Sequence, residues 1–395
     1  MMRSVKRDIL KKNQNIDTEV VIIGAGIMGL STAYYLVTKG VKNICLLENM
    51  PYIGGITTTK CAGGFRHQFN TKLNIELSKL NYYLTKCIEK DHGINLGIEH
   101  SGYFFLASNE NDSLMLERAV YLQNQLGIQS QLIDKNYIQN KFSFLNCNNI
   151  KLGSVYQKDG LMDVTEITNF LLSQLKKNDI SIINNIKVLK LLNDNNRITG
   201  VETSRGKIQA SNIVIAAGSY SKEVANTVNI DLPTQQIPQQ LFLTTKNKYA
   251  DLLPVVVFLE SGLGFHSQAG GILSGMTMKK NDAVKKGINH DWTFKHCEEA
   301  VKYFPDLINS KIISEWWGYY DSTPDANPII GELPIKGLYC LSGFDGHGFM
   351  HGLAAGNIIA SLIINGTFID LDLKNACYKR FQIQDQSNFN SEIRI

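Results

Sequence analysis

The stretch TEVVIIGAGIMGLSTAYYLVTKGVKNICLLEN, residues 18–49, decides the fold of this 395-residue chain. Residues 20–23 form a continuous apolar run, which is typical of a strand buried on both faces of a parallel sheet. A glycine-rich turn follows at once, and after it an amphipathic helix extends to Gly40. A second apolar strand, residues 44–47, ends in Glu48. The pattern predicts a strand, helix and strand unit whose turn can bind a nucleotide.

Each glycine of this turn has a role at a dinucleotide site. Gly24 makes the tight turn, Gly26 lets the backbone approach a pyrophosphate, and Gly29 lets the helix pack closely on the strand. Glu48 stands where an acid accepts hydrogen bonds from the adenosine ribose, and its charge argues against the 2′-phosphate of NADP. The alternative is a coincidental glycine turn, which the register of the whole unit disfavours. The segment predicts a dinucleotide site.

Three further stretches are unusually rich in small residues. They are YIGGITTTKCAGGFRHQF at residues 52–69, IVIAAGSYS at 213–221 and CLSGFDGHGFMHG at 340–352. The last leads into an apolar segment with helical spacing, so its backbone N–H groups would face any anion held by the loop. A tight strand-to-helix turn without a ligand is the alternative for this loop. An enzyme that binds only NAD has no need of the second and third stretches, so the set favours FAD.

The composition is that of an ordinary globular protein of about two domains, with 44% hydrophobic and 19% charged residues. The net charge of +4 and the lack of a long Lys/Arg run argue against nucleic acid as a partner. No window reaches the roughly 18 apolar residues of a membrane span, so no integral span is expected. The seven cysteines are scattered without metal-ligand spacing, which predicts reduced thiols, a cytoplasmic location and no metal site.

The motifs IIGAGIMG, CAGGFRHQF, IVIAAGSYS, WWGYYDSTPDANPIIGELP and GFDGHGFMHG occur in the order found in a known family. They resemble the FAD-dependent amine and amino-acid oxidoreductases, the D-amino-acid oxidase-like family that includes glycine oxidase and sarcosine oxidase. The sequence looks most similar to the β subunits of heteromeric sarcosine oxidase and of dye-linked L-proline dehydrogenase. The resemblance implies FAD and an α/β fold, α+β overall, with a Rossmann-type FAD-binding domain interleaved with a mixed-sheet substrate domain.

Local patterns and the resemblance together give the domain boundaries. Asp163 and Glu166 form a capping box before an amphipathic helix, and a hairpin is expected to turn at residues 193–196. The expected FAD-binding domain comprises 17–80, 150–225 and 325–370, the substrate domain comprises 81–149 and 226–324, and the tails are a basic 1–16 and a C-terminal 371–395.

The resemblance also indicates which residues meet the cofactor. The loop from Gly343 and the helix after it lie against the flavin in similar proteins, where N–H groups and the helix dipole can stabilise negative charge on the reduced ring. The expected cofactor contacts are Gly24, Gly26, Gly29, Glu48, Gly55, Thr57, Thr58, Gly63, Gly64, Ala217, Gly218, Gly343, Gly346, His347, Gly348, Phe349 and Met350.

Four residues are expected to serve the reaction. Arg66 matches the arginine that sarcosine-oxidase-like proteins use for the substrate carboxylate, and a structural ion pair is its alternative role. His67 is adjacent to the flavin ring in similar proteins, although a packed histidine is equally expected of such a position. Tyr320 would donate a weaker hydrogen bond from the opposite wall. His347 is either catalytic or a hydrogen-bonding residue of its loop.

Three departures from the family bear on the activity. Tyr320 stands where D-amino-acid and glycine oxidases have a carboxylate-binding arginine. Gly318 stands where monomeric sarcosine oxidase attaches its flavin through a cysteine, and GGILSGMT, residues 270–277, lacks the oxygen-activating lysine of that enzyme. The departures imply non-covalent FAD and an electron acceptor other than oxygen. Trp316 and Trp317 could line the pocket, with core packing as their alternative.

The resemblance implies oxidation of an amino acid or secondary amine, proline-like or sarcosine-like, by hydride transfer to the flavin from the carbon that bears the amine. An imine would form, and the electrons would pass to a non-oxygen acceptor. Two alternatives stay open from sequence alone. The first is an oxidase that makes hydrogen peroxide, and the second is an FAD-binding subunit of a heteromeric dehydrogenase. A partner subunit and hetero- or homo-oligomers are compatible with each of them.

Overall fold

The nucleotide-binding unit lies in the middle of the first of two large sheets. The structure is a computed structural model that describes residues 16–278 and 287–383. The expected basic tail, apart from residue 16, lies outside the described residues, as does the expected C-terminal tail from residue 384 onward.

Helices and strands alternate along most of the described chain. The α-helices are α1 (Ile27–Thr38), α2 (Lys72–His92), α3 (Glu110–Gln125), α4 (Lys135–Lys141), α5 (Val164–Lys177), α6 (Ser221–Asn226), α7 (His290–Tyr303), α8 (Gly348–Asn365) and α9 (Arg380–Ile383). The strands are β1 (Ile16–Ile23), β2 (Ile44–Leu47), β3 (Gly64–Phe65), β4 (Tyr103–Ala107), β5 (Gln131–Asp134), β6 (Leu152–Tyr156), β7 (Gly160–Leu161), β8 (Ser181–Ile183), β9 (Val188–Asp194), β10 (Arg197–Thr203), β11 (Gly206–Ile215), β12 (Gln235–Thr244), β13 (Val255–Phe258), β14 (Leu263–Gln268), β15 (Gly271–Met276), β16 (Ile312–Ser322), β17 (Ile329–Glu332) and β18 (Leu338–Ser342).

The first sheet has the strand order β17, β18, β11, β1, β2, β8, with the β9–β10 hairpin attached to β11. Strands β18, β11, β1, β2 and β8 are parallel, as the continuous apolar run at residues 20–23 predicts. Asn195 and Asn196 form the hairpin turn with φ angles of 45° and 61°, so the expected turn at residues 193–196 is confirmed. The amides of asparagine make this left-handed conformation accessible.

Helices α1, α2, α5 and α8 share one hydrophobic core on this sheet. Asp163 begins α5 and accepts hydrogen bonds from the backbone N–H groups of Thr165 and Glu166, which confirms the expected cap. A Cβ on Gly356 of α8 would come within 2.6 Å of Ser31 of α1, so these two helices pack backbone against backbone. By length and composition α8 could cross a membrane, but 67% of its apolar window is buried in the fold.

The second sheet has the strand order β16, β12, β15, β14, β13, β4, β6, β5. It is mixed, because β13 and β4 are parallel whereas the other neighbouring pairs are antiparallel. Alternate side chains such as Phe104, Val256 and Phe265 point into a second core that includes Trp292 of α7. Between them, Phe105 and Val257 pack with Leu116 of α3 in a smaller cluster. This arrangement confirms the expected α/β fold with a mixed-sheet second domain.

The structure moves three expected boundaries. Helix α2 is continuous to His92 and buries Ile88 in the core of the first sheet, so this unit extends past residue 80. Strand β6 pairs with β4 and β5 of the second sheet, although 150–225 was expected to belong to the first domain. The segment after residue 371 is anchored rather than a tail, because Arg380 forms a two-oxygen ion pair with Asp325 at 2.8 and 3.0 Å.

Candidate functional site

A cavity of about 840 Å³ lies where the two sheets face each other. On one side it is lined by residues at the carboxyl ends of β1, β2, β11 and β18, where open α/β sheets bind their ligands. On the other side it is lined by residues from six strands of the second sheet. Its volume lies within the range of roughly 300–1,000 Å³ that is usual for ligand pockets.

Glu48 is a fixed acceptor at the end of β2. The residue is 8% exposed, and its carboxylate oxygens accept hydrogen bonds from the backbone N–H groups of Ala25 at 2.9 Å and Met50 at 2.8 Å. Each carboxylate oxygen has a second lone pair. Glu48 therefore suits the ribose contact expected of it, and it also holds the glycine turn against β2.

The glycine turn itself permits very close backbone contacts. Gly24 has φ of 104°, and a Cβ there would lie 2.4 Å from the carbonyl oxygen of Ala216. A Cβ on Gly29 would lie 1.9 Å from the Gly24 oxygen. Thr58 closes the start of α1, because its Oγ1 accepts from the N–H of Ile27 at 3.0 Å. These contacts place the small-residue stretches at 52–69 and 213–221 beside the glycine turn that begins α1.

The loop between β18 and α8 is tied to the end of β16. Asp321 Oδ2 accepts hydrogen bonds from the Gly343 N–H at 2.7 Å and the Ser342 hydroxyl at 2.6 Å. The Ser322 hydroxyl donates to Asp345 Oδ1. Burial raises the pKa of Asp321 to about 6, against the effect of its hydrogen-bond donors. A buried carboxyl that titrates near neutrality therefore holds the glycine loop to the second sheet.

Arg66 lies in the cavity wall with 4% exposure. Its Nη2 donates to Nε2 of His347 at 2.9 Å, its Nη1 donates to the Gln68 carbonyl, and its guanidinium carbon is 4.0 Å from the centroid of the Phe69 ring. Burial lowers the pKa of Arg66. A guanidinium only donates, so Nε2 of His347 must accept, and the neutral imidazole carries its proton on Nδ1. Arg66 and His347, 281 positions apart in sequence, form one unit.

Tyr320 completes this part of the wall. Its ring lies against Gly346, where a Cβ would approach a ring carbon to 2.7 Å. Burial, with smaller contributions from the nearby Tyr103 and Asp345, raises the pKa of Tyr320 to about 12, whereas Arg66 opposes the increase. The phenol therefore stays protonated at neutral pH and can donate a hydrogen bond. The structure brings Arg66, His347 and Tyr320 to one part of the cavity wall, although Tyr320 was expected on the wall opposite Arg66.

Other expected residues lie outside the cavity wall. His67 is absent from the residues that line the cavity, and instead donates from Nδ1 to Asp159 at 2.7 Å and packs against Tyr82 and Tyr156. This environment is that of the packed histidine that the sequence left as an alternative. Gly29 of the glycine turn and Gly343 of the loop before α8 also do not line the cavity. The remaining expected cofactor contacts line it.

Sequence reasoning missed most of the second sheet's contribution. Trp316 and Gly318 line the cavity whereas Trp317 does not, and Lys60 does so while donating to the Trp317 carbonyl at 3.1 Å. Several cavity residues lie outside every quoted stretch, because only strand pairing brings them together: Leu241, Val255, Val257, Gly264 and His266. The sequence signal for them is alternation within single strands, which does not reveal the pairing register.

The Rossmann-type unit has an acid at the end of its second strand, and a second sheet closes it over one large cavity. These features define a dinucleotide-dependent oxidoreductase of two interleaved domains. Within the described residues, no group of three or more His, Cys, Asp or Glu side chains could hold a metal ion. The family model described as DAO, FAD dependent oxidoreductase, matches residues 19–362. The chain belongs to this DAO family.

Individual relatives cover nearly the whole chain. FAD-dependent oxidoreductase domain-containing protein 1 of Xenopus laevis is 27% identical, over 93% of this chain and 83% of its own length. Sarcosine oxidase subunit beta of Rhizobium meliloti (strain 1021) is 26% identical, over 88% of this chain and 85% of its own. The crystal structure of L-proline dehydrogenase from P. horikoshii is 26% identical with a TM-score of 0.86, covering 93% of this chain and 99% of its own.

The residues present fit FAD, the cofactor of the family. Glu48 offers lone pairs for the ribose, and the start of α1 with the close turn at Gly24 suits a pyrophosphate. The segments with Ala217 and Gly346 line the same cavity and bring bare backbone to it. The protein is an FAD-dependent oxidoreductase, as the sequence predicts.

Proposed function

We propose that this protein oxidises an amino acid or a secondary amine, such as proline or sarcosine, at the carbon that bears the amine. The product would be an imine, and the electrons would pass to an acceptor other than oxygen. When bound, FAD supplies the two-electron oxidant that takes a hydride from that carbon.

The pairing of Arg66 and Tyr320 at the cavity supports this proposal most. A buried guanidinium is a strong partner for a carboxylate, because charge-assisted hydrogen bonds are worth about 1.5–3 kcal/mol each. Tyr320, which is protonated at neutral pH, adds a neutral donor from a different strand. A substrate with a carboxylate would be held from two sides, and its adjacent carbon would be fixed in one place.

His347 and Phe69 keep Arg66 ready for this task. Phe69 covers the guanidinium, with its ring centroid at 4.0 Å, and the imidazole of His347 accepts one of its hydrogen bonds. Because His347 must be neutral to accept, it adds no second positive charge beside Arg66. The pair is thus pre-organised, so little ordering is needed when a carboxylate binds.

Two further observations favour this class of reaction. The similar proteins include a sarcosine oxidase subunit beta and an L-proline dehydrogenase, each covered over most of its length. Strand β15, which lines the cavity, contains no lysine that could assist electron transfer to oxygen. Lys60 is a cation in the wall, but its ammonium is bound by the Trp317 carbonyl and lies 5.2 Å from the Trp317 ring centroid.

The test is anaerobic mixing of the purified FAD-loaded protein with a panel of amino acids and secondary amines. Loss of the yellow flavin absorbance with at least one substrate, with a matching amount of imine or its hydrolysis product, is the expected result. A dye should then restore the colour much faster than oxygen does. Rapid restoration by oxygen with stoichiometric peroxide would establish the oxidase instead. FAD that no amine bleaches would favour the role of a flavin-binding subunit.

A further inference from the structure

One row of paired residues on the second sheet forms a trough in the cavity wall. The residues of this row, across strands β16, β12, β15, β14, β13 and β4, are Trp316, Leu241, Gly275, Gly264, Val257 and Phe105. The first five line the cavity. The row is bulky and apolar at both ends and has two glycines in the middle. Leu241 fills the space over Gly275, so the wall is recessed at Gly264.

The trough begins beneath Arg66. The Phe105 ring centroid is 5.1 Å from the Arg66 guanidinium carbon, and Gly264 lies two strands further along the row. Neighbouring strands are about 4.8 Å apart, so roughly 10 Å separate Phe105 from Gly264. A ligand with its carboxylate at Arg66 can therefore lay a ring-sized side chain over Val257 and onto Gly264.

The backbone does not require a glycine at position 264. Gly264 lies in a regular strand, and a Cβ there would meet Val257 Cγ2 at 3.5 Å, an ordinary van der Waals contact. By contrast, a Cβ on Gly275 would collide with Leu241 at 2.5 Å. An alanine at position 264 would thus fold normally and fill part of the trough.

His266 supplies an independent indication of a ligand. It lies two residues from Gly264 on β14, lines the cavity and is 6% exposed. Its Nδ1 donates to the Ser267 carbonyl at 2.8 Å, and burial lowers the pKa of the imidazole. Neutral His266 therefore presents Nε2 as an acceptor, and this atom is buried without a hydrogen-bond partner among the described residues. The carbonyls of Ser267 and Ala62 both oppose this lowering of the pKa, but neither forms a hydrogen bond with Nε2.

We infer that the trough is the subsite for the substrate side chain, and that it selects a side chain with an apolar body and one O–H or N–H donor, the chemistry of a phenol or an indole. This inference rests on the proposed function for its carboxylate anchor, Arg66. The apolar body would lie on Val257 and Gly264, and the donor would reach Nε2 of His266. A site that hydrogen-bonds such a donor discriminates against an analogue that lacks it.

Binding can be measured without turnover, by calorimetry on the FAD-loaded protein. Phenylacetate and 4-hydroxyphenylacetate carry the carboxylate and ring but no amine, so neither can be oxidised at an amine-bearing carbon. We expect the hydroxylated acid to bind about tenfold more tightly, as one buried hydrogen bond allows. His266→Leu should abolish that preference, and His266→Gln, which keeps an acceptor, should retain part of it. If His266→Leu weakened the binding of both acids equally, His266 would only support β14 against Ala62. Its role in recognising the donor of the side chain would then be overturned.

Gly264→Ala tests the trough separately. It should weaken both ring-bearing acids about tenfold or more while leaving acetate binding unchanged, because acetate reaches Arg66 without entering the trough. Gln268→Ala, at the exposed end of the same strand, serves as the matched control. It should change neither the binding of the ring-bearing acids nor the binding of acetate. Unchanged binding of the ring-bearing acids in Gly264→Ala would overturn the subsite.

The same variants separate this inference from the proposed function. If tyrosine and tryptophan bleach the flavin more readily than phenylalanine, and His266→Leu removes the difference, the proposed function and the subsite are both supported. If sarcosine or proline bleaches the flavin and neither variant alters any binding, the proposed function stands and the subsite is wrong. If the acids bind as expected but no amine bleaches the flavin, the proposed function fails while the subsite stands.

Discussion

The two walls of the cavity are built in different ways. The flavin-facing wall consists of short contiguous segments, such as the turn at Gly24 and the loop at Gly346, each of which brings backbone close to the cofactor site. The substrate-facing wall consists of residues from six neighbouring strands, and these strands meet only through pairing register. A cofactor wall of this kind can be found by its motifs, whereas a substrate wall is revealed by the folded sheet.

The walls also differ in their tolerance to added atoms. On the flavin side, a Cβ on Gly29 or Gly24 would overlap backbone oxygens at 1.9 and 2.4 Å, and backbone cannot move aside without disturbing the turn. On the substrate side, a Cβ on Gly264 would meet a side-chain methyl at 3.5 Å. The glycine turn of the first wall is therefore fixed for one ligand, while the second wall can accept a change at Gly264 that alters selectivity.

The sharpest test of this difference is the same one-methyl change on each wall. Gly29→Ala should lose most of the bound FAD, because the added methyl forces α1 away from the turn. Gly264→Ala should keep the full FAD content. The ratio of flavin absorbance to protein absorbance after gel filtration measures both. Equal FAD content in the two variants would show that the walls do not differ as described.

Asp321 joins the two walls, and its titration should affect stability. Its pKa of about 6 lies above the usual 3.8, so the folded protein keeps a proton that the unfolded chain has lost between about pH 4 and pH 6. The stability contributed by this proton is present at lower pH and is lost as the pH rises through about 6. Asp321→Asn should therefore gain stability relative to wild type between about pH 4 and pH 8, by up to about 3 kcal/mol.

Urea unfolding at both pH values, with saturating FAD, measures this gain. The quantity to follow is the difference between variant and wild type, because other groups also titrate over the interval. Ser342→Ala, which removes one donor to the same carboxylate, should not reproduce the gain. If the free energies of unfolding of variant and wild type differed by the same amount at both pH values, the raised pKa of Asp321 would be contradicted.

Tyr320→Phe is expected to have the smallest effect. It removes one neutral hydrogen bond, worth about 1 kcal/mol, and should weaken carboxylate binding about fivefold with unchanged FAD content. The ring still packs on Gly346, so the loop should keep its conformation. Titration with a non-reactive carboxylate measures the change. If Tyr320→Phe weakened carboxylate binding as much as Arg66→Ala does, Tyr320 would contribute more binding free energy than one neutral hydroxyl can supply.

The flavin side was largely predictable from sequence. The strand at residues 44–47, the cap at Asp163 and the hairpin turn all lie where local patterns place them, because each depends on neighbours in sequence. Arg66, Tyr320 and His347 were identified through resemblance, and the structure brings them together. Their individual roles stay predictions.

The remaining features depend on contacts between distant segments. His67 looks like a site residue in sequence, but the buried Asp159, 92 positions away, turns its ring out of the cavity wall. The pairing of Gly264 with Gly275 and of Val257 with Phe105 follows from strand order, which no local pattern states. The same is true of Arg380, whose ion pair with Asp325 anchors a segment that reads as a polar tail.

The central claim is that Arg66 is the point where the two walls act on one substrate. The most direct measurement is the rate of anaerobic flavin reduction against substrate concentration, for wild type and Arg66→Ala, with FAD content measured in parallel. We predict that Arg66→Ala keeps its FAD and that its ratio of limiting rate to half-saturating concentration falls by about 10–100-fold or more, as loss of charge-assisted hydrogen bonds requires. An Arg66→Ala protein that keeps its amino-acid affinity, or that fails only because FAD is lost, would show that the arginine is structural and would contradict the account.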